Sequence, residues 1–506
     1  MLALIITVII LSLIYYLTIS KFNYWKQKQV LYPKPIPLFG NFKDYLLLRK
    51  CIFEVADDIY QKYPNEPYVG VFYGTEPTLI VKDPDYIKLI LTKDFYYFNS
   101  RENSGYHDKE VALRNLFFTS GDEWKIVRQN LTPVFSSSKM KKMFHLIGIC
   151  NGEFEKTLDK IANSTDTDLR TLIAGYTIDC ISSCMFGVNS EAMNNEVNIF
   201  RKMGEAIFDS STLRAYKNIT RTIWPAIFYN LGQRLVVVEV MDFFQSLIES
   251  VFKEREYKES NRHDLIDFMI NLKQKKYIHG ESISKMYEQP KTISHKVDDD
   301  LITAQCASFF GAGHETSSTI LALTLFELAK NPEVQDKAIA EVDAYFNKNG
   351  NLFYESVHET PYLNACFNEA MRLYPVLGVV TREVMDDYTL PSGVSLHKGI
   401  RIHIPVYSIH RDPNYFPKPL CYQPERFLGE EKQNILPYTF MPFGDGPRIC
   451  IGMRFAMMMM TSALMTLLRK YSVELAEGMP RELIYEPGGF TTQIGLKIRV
   501  KLIPRQ

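Results

Sequence analysis

The sequence carries no excess charge of either sign. Lys+Arg and Asp+Glu each total 58 among 506 residues, so no bulk charge recruits nucleic acid and any basic surface is a local patch. Nor is there a Cys-x-x-Cys pair. The eight cysteines, Cys51, Cys150, Cys180, Cys184, Cys306, Cys366, Cys421 and Cys450, are scattered, which suits a reducing compartment better than a disulfide framework. Seven are expected to pack as small hydrophobes, which leaves Cys450 to explain. No internal repeat or long disordered tract interrupts the chain. Its one notable homopolymer, Met457 to Met460, reads as core filling on a helix rather than a metal site. Hydrophobic residues make up 46% of the chain, enough for a sizeable core, and the length permits roughly two to four ordinary domains or one large enzyme domain.

What is present begins at the N-terminus. The run MLALIITVIILSLIYYLTIS is uncharged and almost wholly apolar, and about twenty such residues span a bilayer. The basic leader and small-residue cleavage site of a secretory peptide are missing. Lys21, Lys26 and Lys28 follow, with Tyr24 and Trp25 at the expected interface; positive charge after a span places the remainder on the cytosolic side. Residues 1–20 are thus expected to be a transmembrane anchor. Residues 21–40, with Pro33, Pro35 and Pro37, form a basic and stiff proline-rich hinge, and 41–506 a single large domain.

Within that domain PYVGVFYGTEPTLIVKD alternates around a turn and predicts a hairpin. Helical patterning then dominates. DEWKIVRQNLTPVF predicts a helix ended near Pro133. Val297 to Lys330 predicts a long helix with an acidic first turn, Asp298 to Asp300, that suits the helix dipole; at 1.5 Å per residue it would run roughly 50 Å. TPYLNACFNEAMRLYP predicts another helix, stopped by Pro375. Short strands are expected around Val394 and Ile402. The fold class is mainly α with small β-sheets.

Phe443, Gly444, Gly446, Arg448, Cys450 and Gly452 have the spacing F-G-x-G-x-R-x-C-x-G. Three readings compete: a phosphate loop, a bland turn, or a presented thiolate. The glycines fit neither G-x-G-x-x-G nor the Lys-Ser/Thr form. Helical pattern resumes at about Ile451, so Cys450 is expected at a helix N-terminus, where the dipole and free N–H groups stabilise a negative sulfur. One thiolate without neighbouring ligands is wrong for structural zinc. It is right for haem iron, which needs only an axial ligand from the protein.

This loop looks like the haem-binding signature of the cytochrome P450 superfamily. Other motifs of that family stand in the same order. Glu369 and Arg372 match E-x-x-R, Pro424 to Phe427 (PERF) the meander motif, Ala312 to Ser317 (AGHETS) the oxygen-activation motif, and Trp124 to Arg128 the W-x-x-x-R motif. The resemblance covers essentially the whole chain, anchor included. Its nearest flavour is the microsomal drug- and toxin-metabolising clan, particularly the insect members. It implies the cytochrome P450 fold, with a long central helix over haem b, and makes 41–506 a haem-thiolate catalytic domain.

The resemblance also assigns roles. Cys450 would be the iron ligand. Glu369, Arg372 and Arg426 would form a buried triad bracing the cysteine loop. Trp124, Arg128, Arg101, Arg382 and Arg448 would point at haem propionates, and Phe443 and Ala312 would contact the haem. Gly311 and Gly313 cost roughly 1 kcal/mol each relative to Ala and are read as thinning the central helix at the haem face. Thr316 would bond back to the Ala312 carbonyl and hold a water, with Glu315 supplying protons. The alternative zinc-protease motif H-E-x-x-H fails at Ser318. His314 has no assigned role and is expected to face away from iron. A lipophilic pocket is expected from Phe117, Phe118, Phe208, Phe309, Phe310, Val376, Val380, Phe490 and Thr491.

The implied reaction is insertion of one oxygen atom from O2 into a lipophilic substrate: a xenobiotic, plant toxin or insecticide first, a hormone, pheromone or fatty acid otherwise. Electrons would come from NADPH through a membrane-bound flavoprotein, NADPH–cytochrome P450 reductase, with cytochrome b5 as a second candidate donor. Lys125, Lys139, Lys141, Lys142 and Arg454 are candidate basic contacts or plain solvated surface. Localisation would be the endoplasmic reticulum membrane with the catalytic domain cytosolic. A haem-thiolate isomerase or dehydratase, and a haem-based sensor, are the competing classes; the pair Glu315–Thr316 argues against both.

Overall fold

A computed structural model describes residues 1–162, 164, 166–285 and 288–505; the last residue of the expected 41–506 domain lies outside these. Helices dominate, and the longest runs through the middle. This central helix, Asp299–Lys330, is capped by Asp298, whose carboxylate accepts the Leu301 N–H at 2.8 Å. It starts two residues later than the sequence pattern suggests, because Asp298 serves as cap rather than first turn. Apolar side chains surround it on all sides, as befits a buried helix with no solvent face. It packs against the helices Leu169–Ile181, Val238–Glu254 and Pro361–Leu373.

The expected hairpin pairs Tyr68–Tyr73 with Glu76–Val81, antiparallel, Tyr68 opposite Val81. Arg401–Ile404 joins Glu76–Val81 in parallel, and Val380–Glu383 closes this four-stranded sheet antiparallel to Arg401–Ile404. A second sheet sets Arg499–Pro504 between Tyr471–Leu475 and Thr167–Asp168. The strand expected near Val394 is only Ser395–Leu396, paired with Tyr388–Thr389. Helix Gly121–Leu131 ends ahead of Pro133, which opens a 3-10 turn.

At the N-terminus a helix forms over Leu2–Ser20, and Leu2, Leu4, Ile9 and Leu17 are exposed on it. Side chains at 3, 8, 10, 11 and 14 lie outside the described ones. Among the described residues no helix is long and apolar enough to cross a membrane, so a span over 1–20 is not supported. Trp25 also differs from expectation. It is fully buried rather than interfacial: its indole N–H donates to the Val71 carbonyl at 2.8 Å. Gly70 makes room, since a Cβ there would sit 2.5 Å from the indole. The expected hinge is thereby docked on the four-stranded sheet. Of the seven cysteines expected inside, Cys51, Cys150, Cys180, Cys184, Cys306 and Cys366 are buried, whereas Cys421 is exposed.

Candidate active site

Segments from across the chain converge on one cavity of about 370 Å³. The central helix supplies Phe309, Ala312, Gly313 and Thr316; the cysteine loop supplies Phe443, Gly444, Arg448 and Cys450; Val376 to Arg382 and Arg101 to Asn103 supply the rest of one wall. Such a size lies within the range of small-molecule sites.

The cysteine loop is held by its own backbone. The Cys450 N–H donates to the Phe443 carbonyl at 2.9 Å and Ile449 N–H to Gly446 at 3.0 Å. Gly446 has φ +69°, and a Cβ there would meet the Leu91 carbonyl at 1.9 Å, so only glycine fits. The following helix begins at Met453, with Gly452 as its cap. Cys450 therefore precedes the helix cap by two residues instead of standing at the helix start near Ile451. Burial raises the Cys450 thiol above its ordinary value, while the Gly452 and Met453 N–H groups and the Arg128 and Arg101 guanidinium groups act in the opposite sense. The sulfur is deep within the fold, yet its residue is exposed, because its bare face opens on the cavity.

Arg101, Arg128, Arg382 and Arg448 all line this cavity, and among the described residues no carboxylate stabilises any of them. Burial lowers each below the ordinary arginine value. Arg101 falls to about 10 and Arg382 to about 9, with mutual repulsion adding to both. Arg101 and Arg382 thus remain charged near neutrality. Arg382 is 1% exposed and its Nε has no partner. Arg448 is different: Nε donates to the Asn99 carbonyl at 2.6 Å, and Nη1 and Nη2 to the Phe117 and Thr119 carbonyls. It also lies over the Trp124 ring at 4.5 Å. Arg448 is thus first a brace between the cysteine loop and the 99–119 segment. Trp124 lines the cavity beside Arg128, one turn away on the same helix.

The triad is assembled. Glu369 and Arg372 are fully buried and joined by two 2.8 Å hydrogen bonds. Arg426 reaches Glu369 Oε1 at 3.4 Å. Arg372 Nη1 also donates to the His410 carbonyl at 2.8 Å, and His410 Nε2 accepts the Met441 N–H. Sequence reasoning missed His410, which carries the triad's order to the cysteine loop.

On the central helix the Thr316 hydroxyl donates to the Ala312 carbonyl at 2.7 Å, as expected, but the helix continues without a break. Glu315 does not join it. Adjacent helical residues point about 100° apart, and the Glu315 carboxylate, 5% exposed, faces away from the cavity to Arg170 Nη2 at 3.0 Å and Gln493 Nε2 at 3.2 Å. Burial raises its pKa against the pull of Arg170. His314 also faces away, against Thr177 Oγ1 at 3.0 Å. Gly313 borders the cavity as expected. Gly311 instead gives room to Ile207 and Phe208, which a Cβ there would approach to 3.1 and 3.2 Å.

Of the expected pocket residues, Phe117, Phe118, Phe309, Val376, Val380 and Phe490 line the cavity. Phe310 does not; it is fully buried among Phe186, Phe200 and Phe244. Phe208 packs behind Gly311, and Thr491 is buried off the cavity wall. Of the candidate basic contacts, Lys125 and Lys141 pair with Glu281 and Glu355, while Lys139, Lys142 and Arg454 are exposed. At the far end of the cavity stand Glu102 and Arg221, which no sequence motif signals.

Known proteins resemble this chain in sequence. The family model described as Cytochrome P450 matches residues 31–500. Cytochrome P450 6B5 of Papilio glaucus is 35% identical over 474 residues, 93% of this chain and 97% of its own. Cytochrome P450 6B2 of Helicoverpa armigera is 33% identical over 510 residues, 99% of this chain and 98% of its own. Cytochrome P450 6k1 of Blattella germanica is 33% identical over 480 residues, 94% and 91% respectively.

Proposed function

This chain belongs to the cytochrome P450 family, and from that premise we propose that Cys450 would hold the haem iron through its thiolate. The family makes the protein an oxidoreductase of the monooxygenase type, with a haem cofactor and electrons from a redox partner. One observation carries the assignment of Cys450: its bare sulfur and the Thr316 hydroxyl open on the same cavity. The residues present fit haem. Four arginines without carboxylate partners, one with an orphaned Nε, suit a group that brings two carboxylates.

When bound, haem supplies O2 activation and O–O cleavage, which thiolate ligation favours. Cys450 would hold the group from the loop side, with the Gly452 and Met453 N–H groups tempering the sulfur's charge. Arg128, Arg101 and Arg382, with Trp124, would hold its carboxylates, while Arg448 braces the wall beside them. Phe443 and Ala312, which line the same cavity, would flank the group. Thr316 donates its own hydrogen to the Ala312 carbonyl and so presents an acceptor oxygen that would hold a water in place, the water being the proton donor. Glu315 anchors the helix through Arg170 instead of supplying protons there. Phe117, Phe118, Phe309, Val376, Val380 and Phe490 exclude bulk water and take a lipophilic substrate, a xenobiotic or plant toxin first.

The electron path, NADPH through a flavoprotein reductase with cytochrome b5 in support, rests on family resemblance, as does attachment to the endoplasmic reticulum. The exposed apolar side chains of helix Leu2–Ser20 support attachment to a membrane. The test of the central assignment is the spectrum of the dithionite-reduced protein with carbon monoxide. A red-shifted Soret band is expected, and lost in Cys450→Ala; a wild type without it, or a variant that keeps it, overturns the ligand. Product formation with NADPH, reductase and O2 then separates a monooxygenase from a peroxide isomerase, and membrane fractionation tests the anchor.

A further inference from the structure

The cavity is apolar around Phe117, Phe118 and Phe309 but polar at one end. There helix Thr212–Ile223 presents Asn218, Arg221 and Thr222 to it. The spacing puts these three on one face of the helix. Arg221 is only 5% exposed, and a charge so buried is ordinarily paired. Its Nε donates to the Tyr229 hydroxyl at 2.9 Å, and its guanidinium lies over the Phe118 ring at 5.1 Å. Tyr229 is itself stacked on Tyr106 at 5.6 Å. These contacts orient the guanidinium plane but use one donor of five. Among the described residues neither Nη1 nor Nη2 has a partner.

The carboxylates nearby are committed elsewhere. Glu102 is hydrogen-bonded to His403, and although it also feels the charges of Arg401 and Arg221, that imidazole is its direct partner. Glu110 accepts the backbone N–H groups of Leu235 and Val236 at 2.9 and 3.2 Å. Neither reaches Arg221 as an ion pair. A held guanidinium with a free pair of N–H groups, aimed into a cavity, is a preorganised fork for two oxygens.

Resting on the monooxygenase reading above, we propose that Arg221 is a specificity determinant and that the preferred substrates are lipophilic carboxylic acids. The carboxylate sits on the Nη1/Nη2 fork of Arg221, beside Asn218 and Thr222. The apolar body lies along Phe118 and Phe117 and presents its far carbons toward Thr316. Polar head and apolar tail thereby match the two ends of the cavity, and oxidation falls on the tail.

The experiment uses the haem-loaded full chain. Dodecanoic acid and methyl dodecanoate are titrated while the ferric Soret shift is followed, in wild type, Arg221→Gln and Arg221→Lys. The acid is expected to bind wild type about tenfold or more tighter than the ester, the loss in Arg221→Gln being of the size of one charged hydrogen-bonded contact. Arg221→Gln should abolish that preference and leave the ester's affinity nearly unchanged, and Arg221→Lys should restore part of it. Equal binding of acid and ester by wild type, or equal weakening of both by Arg221→Gln, overturns the proposal. Loss of haem from both variants would instead make Arg221 a propionate partner and overturn it too. Failure of the thiolate reading registers separately, as a wild type without the carbon monoxide band.

Discussion

His410 Nε2 accepts the backbone N–H of Met441 at 2.9 Å, while its own carbonyl accepts Arg372 Nη1 at 2.8 Å. One residue therefore joins the buried pair Glu369–Arg372 to the segment that enters the cysteine loop. His410→Phe keeps the volume and removes the acceptor, leaving a buried N–H unsatisfied at a cost of about 1–3 kcal/mol. The urea midpoint should fall accordingly. So should the fraction of reduced protein that shows the thiolate band with carbon monoxide, because the loop is released at its entry. An unchanged midpoint and band would mean the contact is incidental.

Two buried histidines make the fold acid-sensitive. Burial, aided by Arg170 and Arg201, lowers His314 to about 3; burial, aided by Arg372, lowers His410 to about 3. In the unfolded chain each titrates near pH 6.5. Folded values below unfolded ones mean that their contribution is intact above about pH 6.5 and is lost as pH falls toward 3. Urea midpoints measured from pH 8 down to pH 5 should be flat at first and then decline. His314→Gln, which can keep the Thr177 hydrogen bond, removes one of the two protons and should make the decline shallower.

Glycines of the cysteine loop separate strain from collision. Gly444 and Gly446 have φ +73° and +69°, but a Cβ at 444 meets nothing within 4 Å while one at 446 meets the Leu91 carbonyl at 1.9 Å. Gly444→Ala should cost only the left-handed backbone penalty, about 1–2 kcal/mol. Gly446→Ala must also displace backbone and should abolish haem incorporation, as read from the ratio of Soret to protein absorbance. Equal behaviour of the two variants would contradict the packing at Leu91.

What could be read from the sequence was what spacing and residue type encode together. Cys450 with its glycines and the Glu369–Arg372 pair depend on local spacing that survives folding, whereas Arg101 and Arg382 could be assigned only through the family resemblance. Direction did not survive so simply. Phe309 and Phe310, like Glu315 and Thr316, are neighbours in sequence and stand on different faces of one helix, so a motif naming both members promised more than the cavity receives. Arg221 was invisible because a lone basic residue on an amphipathic helix reads as solvated. Trp25 followed the same logic in reverse: an aromatic beside an apolar run reads as interfacial, and only the glycine at position 70 of a distant strand gives it a socket.

The contrast between Glu315 and Thr316 gives the last prediction. Thr316 lines the cavity and offers an acceptor oxygen there, whereas Glu315 is tied to Arg170 and Gln493 behind the helix. Thr316→Val keeps shape and removes the hydroxyl. The acceptor that would hold the proton-donating water is then lost, and general acid–base steps of this kind are worth about 100-fold or more. Product formed per NADPH consumed should collapse in Thr316→Val and recover largely in Thr316→Ser, with the carbon monoxide band intact in both. Glu315→Gln should leave that ratio close to wild type and lower the urea midpoint modestly instead, because it weakens the half-exposed Arg170 ion pair without touching the cavity. Were Glu315→Gln to uncouple NADPH use from product as Thr316→Val does, the carboxylate would have to reach the cavity by a movement of Arg170, and the structural role assigned to it would be wrong.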